Sequence, residues 1–433
     1  MRRVRRGHGN GVTLLSEVRY PTAEELARAA GALVHHHPGL ARLDQAGISR
    51  GGHPLWVLRA GRPSLSAEHN VLVVAGAHPN EPVGGLTALA LAHRVLEQRT
   101  LRSRCTWHFL LCADPDGAAL HRTPQPRDLL DYHRYFYRPP GPEQPEWAPS
   151  LLPADRLPPE TRALIGLIDE LRPVLQVSLH ATDLGGSWVQ LTRDIPGLAE
   201  PFTKSAAELR IPLETSASDA AGWPSSGPGI FVMPPSGALD PGRAPAEDAR
   251  LSTWCRAHRY AGTTAIIEVP MWASDLVDDP APHPDPEQSL HRFADRLLAE
   301  AGRVAAVLRA TRGVLPHEGD PLLRAVEWTL GLIPHIATGW LDQPPEQASS
   351  ACIASIDAFG RRLVLRAAAM LLRVLRSSDR PGTAATTLEG LVAHWCATFA
   401  TRFQARWVPV AVQVEHQSRT ALAAYERLPA LAG

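Results

Sequence analysis

The sequence predicts an α/β fold: a three-layer α/β/α sandwich with a mixed, mostly parallel sheet, followed by a helical C-terminal extension. Three observations carry this. Four short apolar runs, VLVVAGA (71–77), WHFLLCA (107–113), VLQVSLH (174–180) and TAIIEV (264–269), dominate the first 270 residues. Runs of that length read as strands buried on both faces, as in a parallel sheet. Between them lie helical patterns such as 84–98 and 159–171, and alternating strands and helices place helices on both faces of the sheet. Beyond about residue 287 the strand-like runs stop, and helical patterns follow at 287–310, 321–334, 346–377, 387–403 and after 411. The expected organisation is therefore one α/β domain over 1–314 and a helical extension or second domain over 315–433.

At the N-terminal end, PTAEELARAAGALVHHHPGL has Thr22 ahead of Glu24 and Glu25, which predicts a capped helix. ISRGGHPLWVLRAG then reads as a hairpin centred on SRGG. GISRG (47–51) fits the GxSxG pattern of serine hydrolases, but an apolar run rather than a helix follows it, so a turn is expected. Residues 185–260 are rich in loop signals, including GWPSSGPG (222–229) and MPPSGALDPGRAP (233–245). Long loops in a compact domain tend to be functional, and these are expected to shape a pocket. Arg362, Arg366, Arg373 and Arg376 recur on one helical face, opposite Leu363, Met370 and Leu371, and read as a solvated face.

Composition excludes several classes of function. The 433 residues carry 44 basic and 44 acidic side chains, with 44% hydrophobic and 20% charged residues. That balance excludes global disorder and argues against a nucleic-acid partner. Five scattered cysteines without a CxxC pair suggest neither a disulfide framework nor a cysteine metal site, and fit a reducing, cytoplasmic location. MRRVRRGHGN is not followed by an apolar run, so no secretory signal is expected. The best candidate for a membrane span, 363–375, is broken by Arg366 and Arg373, so no membrane partner is expected either.

The chemistry is concentrated at strand exits. His78 and Glu81 follow the first run in AHPNEP, His180 closes the third, and Glu268 lies near the end of the fourth. In an open α/β sheet, ligands bind at the carboxyl ends of the parallel strands, so these residues are expected to converge. Two imidazoles and a carboxylate form a recurring zinc set that leaves one position open for water. A further carboxylate beside that water can act as general base. A lone strand-end histidine is more often structural; the four residues together carry the reading. Pro79 lies between His78 and Glu81, so a loop rather than a helix face must present them.

On these residues the sequence resembles the zinc-dependent metallocarboxypeptidases, over roughly residues 18–310. The resemblance implies that His78, Glu81 and His180 hold one Zn2+ per chain and that Glu268 activates a zinc-bound water. ADPDG (113–117), Arg122 and DYHRYF (131–136) are similar to further segments of that family. By resemblance, Arg122 stabilises the oxyanion, and Arg134 binds the substrate carboxylate beside His133, where the family has asparagine. Arg127 and Arg138 compete for those roles. The implied activity is hydrolysis of an amide (peptide) bond next to a free carboxylate, on a peptide or small amide substrate. No tyrosine occurs between Tyr137 and Tyr260, so the family's substrate-capping tyrosine is missing or replaced by Trp223, Phe231 or Trp254. SLHATDLGG and IIEVP also resemble the aspartoacylase and succinylglutamate desuccinylase branch, which implies an N-acyl amino acid substrate instead. The hairpin near the N-terminus favours the carboxypeptidase branch. A third reading is a catalytically inactive zinc-binding interaction protein, against which the intact Glu268 argues. The helical C-terminal region is the candidate surface for self-association.

Overall fold

The computed structural model describes residues 19–61, 69–122, 125–220, 222–234, 248–315, 319–342, 348–377 and 382–428. The basic segment 1–10 and residues 235–245 of the Gly/Pro-rich stretch lie outside the described residues. Helix α1 (Ala23–His36) starts at a capping box in which Thr22 and Glu25 satisfy each other's backbone N–H. The hairpin β1 (Ala41–Ile48) and β2 (Pro54–Ala60) comes next, then β3 (His69–Val74), α2 (Val83–Glu97), the short α3 (Arg99–Arg102) and β4 (Cys105–Leu110). Helices α4 (Pro115–Leu120), α5 (Leu129–Arg134) and α6 (Pro159–Leu171) lead to β5 (Leu175–Gly185) and β6 (Trp188–Leu191). Then come α7 (Ala199–Leu209), β7 (Ser225–Gly227), β8 (Ile230–Val232) and β9 (Thr263–Ala273). Four long helices follow: α8 (Pro286–Thr311), α9 (Pro321–Asp342), α10 (Ser350–Arg376) and α11 (Gly382–Arg402). The two-residue β10 (Arg406–Trp407) and α12 (Val410–Glu426) end the described chain.

The sheet runs β1-β2-β4-β3-β5-β9-β6-β8-β7, with β10 on β9. Its centre, β4-β3-β5-β9, is wholly parallel and consists of the four apolar runs. Antiparallel pairs join this centre to its flanks, β2 on β4 and β6 on β9, which makes the sheet mixed. Strand pleat divides the side chains between two faces. Val71, Val73, Leu175, Val177, Leu179 and Ile267 pack with Leu91 of α2 and Ala424 of α12. Leu72 and Val74 turn the other way, onto Leu164 and Ile168 of α6. Along β5, Gln176, Ser178 and His180 alternate with the first set and so share the α6 face.

The segment read as loop-rich also holds α7 and the short strands β6 to β8, whose three or four residues are too few for a visible period. Helix α9 continues through Pro334 to Asp342. The larger difference concerns the C-terminal region. One core joins Tyr132, Phe136, Leu184, Met271 and Trp272 to Val326, Val364, Leu371, Leu388 and Phe399 of the long helices. A boundary at 314/315 therefore separates no two cores. Helices α8 to α11 form an insertion between β9 and α12, and β10 returns the chain to β9 through Arg406↔Ala273 and Trp407↔Trp272. Helix α12 then completes the sandwich. Its Gln417 accepts from Thr87 Oγ1 at 2.7 Å and donates to the carbonyl of His180 at 2.7 Å. Among the described residues no helix is long and apolar enough to cross a membrane.

Candidate metal centre

The loops after β3 and β4 are fastened together. Ala75 N donates to Leu110 O, Ala113 N to Ala75 O, and Asp114 N to Gly76 O, at 2.8–3.0 Å. Gly76 has φ +63°, and a Cβ there would lie 3.1 Å from Cys112 Cα, so this close crossing requires glycine. The chain then turns, with Glu81 N donating to His78 O at 3.1 Å, which presents both side chains from one turn ahead of α2. His180 and Glu268 are register partners in the β5–β9 ladder, so their side chains stand side by side on one face.

His78, Glu81 and His180 form a group that could hold a metal ion, their ligand atoms all within 4.8 Å of one another. His78 Nδ1 is 3.0 Å from Glu81 Oε1, His180 Nδ1 is 2.8 Å from Glu81 Oε2, and the two Nδ1 atoms are 3.1 Å apart. Each ring is held from behind. His78 Nε2 lies 3.1 Å from Gln144 Oε1, and His180 Nε2 lies 2.9 Å from Glu146 Oε2. With Nε2–H donating to Glu146, the His180 Nδ1 lone pair faces the centre, as a metal-ligating histidine requires, and His78 Nδ1 is turned to the same centre. Glu146 is itself anchored, accepting from Ser178 Oγ at 2.6 Å and from Trp254 Nε1 at 2.9 Å. The donor set is therefore fit for Zn2+: two nitrogens, one carboxylate and polar support behind each imidazole.

The electrostatics agree. Burial opposes the charged form of Glu81, but the His78 and His180 imidazoles outweigh it and hold the carboxyl well below its usual range. Burial likewise opposes a charged His180, yet Glu81 and Glu146 raise its proton affinity well above that of an ordinary imidazole. Such a centre is arranged for a cation, and a divalent metal would take the place of that proton. His78 is pushed down to about 4 by burial and by the Arg138 guanidinium. Glu268 is pushed up to about 8, by burial and then by the Glu81 carboxylate, and its Oε2 is buried with no hydrogen-bond partner among the described residues.

Among the described residues, neither Arg122 nor Arg134 hydrogen-bonds a ligand of the centre. Arg122 is exposed and donates to Ala119 O at 2.9 Å. Arg134 is also exposed and pairs with Asp131 on its own helix at 3.5 Å. His133 is completely buried beneath the long helices, its Nδ1 2.7 Å from Leu129 O, where no substrate reaches it. The cause is local: α5 turns Leu129, Tyr132 and His133 into the shared core, which leaves Arg134 facing solvent. Arg127 also remains outside, paired with Asp131. The arginine that enters the site is Arg138. Its Nη1 donates to Glu81 Oε1 at 2.8 Å, and its Nη2 lies 3.2 Å from His78 Nε2.

Gln144 and Glu146 escaped the sequence reading. They sit in RPPGPEQPEW, which has no periodicity, and only an amide and a carboxylate two residues apart among prolines could have signalled them. Of the aromatic residues considered for the missing tyrosine, Trp254 lies nearest the centre, its ring 6.1 Å from that of His180. Trp223 and Phe231 pack instead with Trp188 and Met233 in a separate apolar cluster. Of the arginine stripe of α10 only Arg376 is exposed as expected, paired with Glu389; Arg362, Arg366 and Arg373 reach Thr182, Asp183 and the carbonyls of Leu120, Tyr135 and Phe136.

Residues 27–188 match the family model described as zinc carboxypeptidase. Among solved structures, the chain is similar to a metallo-carboxypeptidase from Burkholderia cenocepacia, with 18% identity and a TM-score of 0.39 over 59% of this chain and 61% of that one. It is also similar to carboxypeptidase A from Helicoverpa armigera, with 16% identity and a TM-score of 0.41 over 60% of this chain and 68% of that one. No curated protein sequence matches the chain.

Proposed function

We propose that the chain is a zinc-dependent hydrolase of the carboxypeptidase kind, cleaving an amide bond next to a free carboxylate. The observation that carries this reading is the convergence of His78, Glu81 and His180 beside Glu268, a carboxylate in register with His180 whose buried Oε2 has no hydrogen-bond partner among the described residues. The match of residues 27–188 to the zinc carboxypeptidase family supports it.

Zn2+ in a site of this kind acidifies water and polarises a carbonyl. The chain's own residues do the rest. Gln144 and Glu146 fix the imidazoles so that the Nδ1 atoms point inward. Glu268 takes a proton from the attacking water and delivers it to the departing amine. Burial and the Glu81 carboxylate raise its proton affinity above that of an ordinary carboxylate, which favours its taking the proton of the water. Among the described residues, Arg138 brings the one guanidinium hydrogen-bonded to a ligand of the centre, and can offer a donor to the charge that develops on the carbonyl oxygen.

The test is Glu268→Gln. It should retain metal while losing about 10²–10⁴-fold in turnover, the range typical of a removed general acid–base. Peptides and N-acyl amino acids screened side by side would separate the two substrate classes. Near-wild-type turnover by the variant would remove Glu268 from the mechanism.

A further inference from the structure

We infer that Arg362, supplied by the inserted helix α10, seats a carboxylate of the substrate. The inference rests on the hydrolase reading for what the substrate is, and on the following geometry for where it binds.

Three arginines of α10 point into the protein, and two of them make several hydrogen bonds each. Arg366 gives Nε and Nη2 to the buried Asp183, at 3.1 and 2.6 Å. Arg373 gives Nη1 to the carbonyls of Tyr135 and Phe136 and Nη2 to that of Leu120. Arg362 is different. It is only 7% exposed, yet among the described residues its one hydrogen bond runs from Nη1 to the hydroxyl of Thr182. Among the described residues its Nε is buried with no partner, and its ion pair with the half-exposed Asp219 is stretched to 3.8 Å at Nη2. A buried guanidinium with an unfilled Nε and so loose an ion pair keeps donors that an incoming anion would complete. A planar fork of this kind suits a carboxylate, which accepts two parallel hydrogen bonds.

The location fits the chemistry. Thr182 follows His180 by two residues on β5, so its side chain lies on the same face, about 6–7 Å further along the strand. An extended residue covers about 3.3–3.6 Å. A carboxylate on Arg362 would therefore stand one or two residues from a scissile carbonyl at the metal centre. Neither Arg122 nor Arg134, the residues expected from the sequence, reaches the centre, and Arg138 is engaged by Glu81. The unfilled guanidinium on this face comes from the insertion.

The test compares the zinc-loaded wild-type protein with Arg362→Gln and Arg362→Lys. The substrates are short peptides offered as free acids and as C-terminal amides, each with neutral or acidic side chains. Arg362→Gln should raise KM about tenfold for carboxylate-bearing substrates with kcat little changed, and should leave neutral amides unaffected. Arg362→Lys should recover part of that loss. Whether acidic amides retain the effect tells a side-chain carboxylate from a terminal one. Calorimetric titration with glutarate reads the subsite without turnover: the wild type binds, and Arg362→Gln binds about tenfold more weakly. Equal glutarate affinities, or none in the wild type, would overturn the assignment. Discrimination between the proteins without cleavage of any peptide or N-acyl amino acid would sink the hydrolase reading and leave the subsite standing. Cleavage with an unchanged KM in the variant would do the reverse. Should Arg362→Gln fail to fold, the same titration on Arg362→Lys decides.

Discussion

A histidine coordinates well only when its other ring nitrogen is held, and here both rings are held from a proline-rich loop. Glu146 is the more telling of the two supports, because it is an ionised, buried group whose carboxyl lies below its usual range. Burial opposes that charge, but the bond to His180, followed by those from Ser178 and Trp254, stabilises it. A negative support raises the basicity of the imidazole it touches and so strengthens the metal bond on the far side of the ring. Glu146→Gln keeps the acceptor and removes the charge. It should weaken zinc binding about 10–100-fold, measured by competition with a chelating dye, with little change in melting temperature without metal. Unaltered zinc affinity would reduce Glu146 to a packing role. The ligands themselves were legible because each leaves a strand whose apolar run announces it. Their supports were not, since a loop with four prolines between Pro139 and Pro145 leaves no pattern from which a side chain's direction can be read.

Helix α10 shows the same limit at the level of the element. Its apolar and basic stripes were visible, but helical spacing gives the faces of a helix and not what covers them. A stripe of arginines opposite leucines reads as solvated until a second buried surface with acceptors is known to lie against it. That surface is the carboxyl end of β5, where Asp183 meets Arg366. Burial alone would raise the Asp183 carboxyl, and Arg366 overcomes this to hold it below its usual value. The stabilisation is therefore present above pH ~4, the pKa of an unfolded aspartate, and is lost as pH falls through the lower folded value. Arg366→Met leaves a buried carboxylate without its partner and should cost about 3–5 kcal/mol at pH 7. In that variant the Asp183 pKa should rise, so the deficit should shrink as pH falls from 7 to 5. Adding Asp183→Asn should restore much of the loss. Urea unfolding of the three proteins at both pH values checks each step. A deficit that does not change with pH would mean that packing, rather than the unpaired charge, sets the cost.

Over the whole molecule, the four central strands and the five C-terminal helices were readable from hydrophobic pattern, whereas the path joining them was not. Helix α12 returns to the sheet after a bundle of some 120 residues, and its polar residues 413, 416 and 417 are all buried. Polar residues on a helix read as a solvent face, so the sequence hid the surface by which α12 closes the sandwich. His416 there lies between Ser187 Oγ, at 2.8 Å, and Ser205 Oγ, at 2.9 Å. Burial pushes its pKa down to about 3. His108, His121 and His133 are treated alike, pushed down to about 4, 3 and 4, with burial the largest cause in each. All four are neutral in the folded protein at pH 6, whereas the unfolded chain takes up protons below about pH 6.5. The unfolded state binds more protons, so stability falls with falling pH, by up to about 1.4 kcal/mol per pH unit for each histidine. Four together are comparable, over one or two units, with the whole stability of an ordinary domain. The melting temperature should therefore drop steeply between pH 6.5 and 5, above the range in which ordinary, solvent-exposed carboxylates titrate. His416→Gln, which can still bond both serines, should make that slope shallower by about one proton. A melting temperature that stays level from pH 7 to 5 would mean that these imidazoles take up protons without unfolding, and the closing role assigned to α12 would lose its electrostatic support.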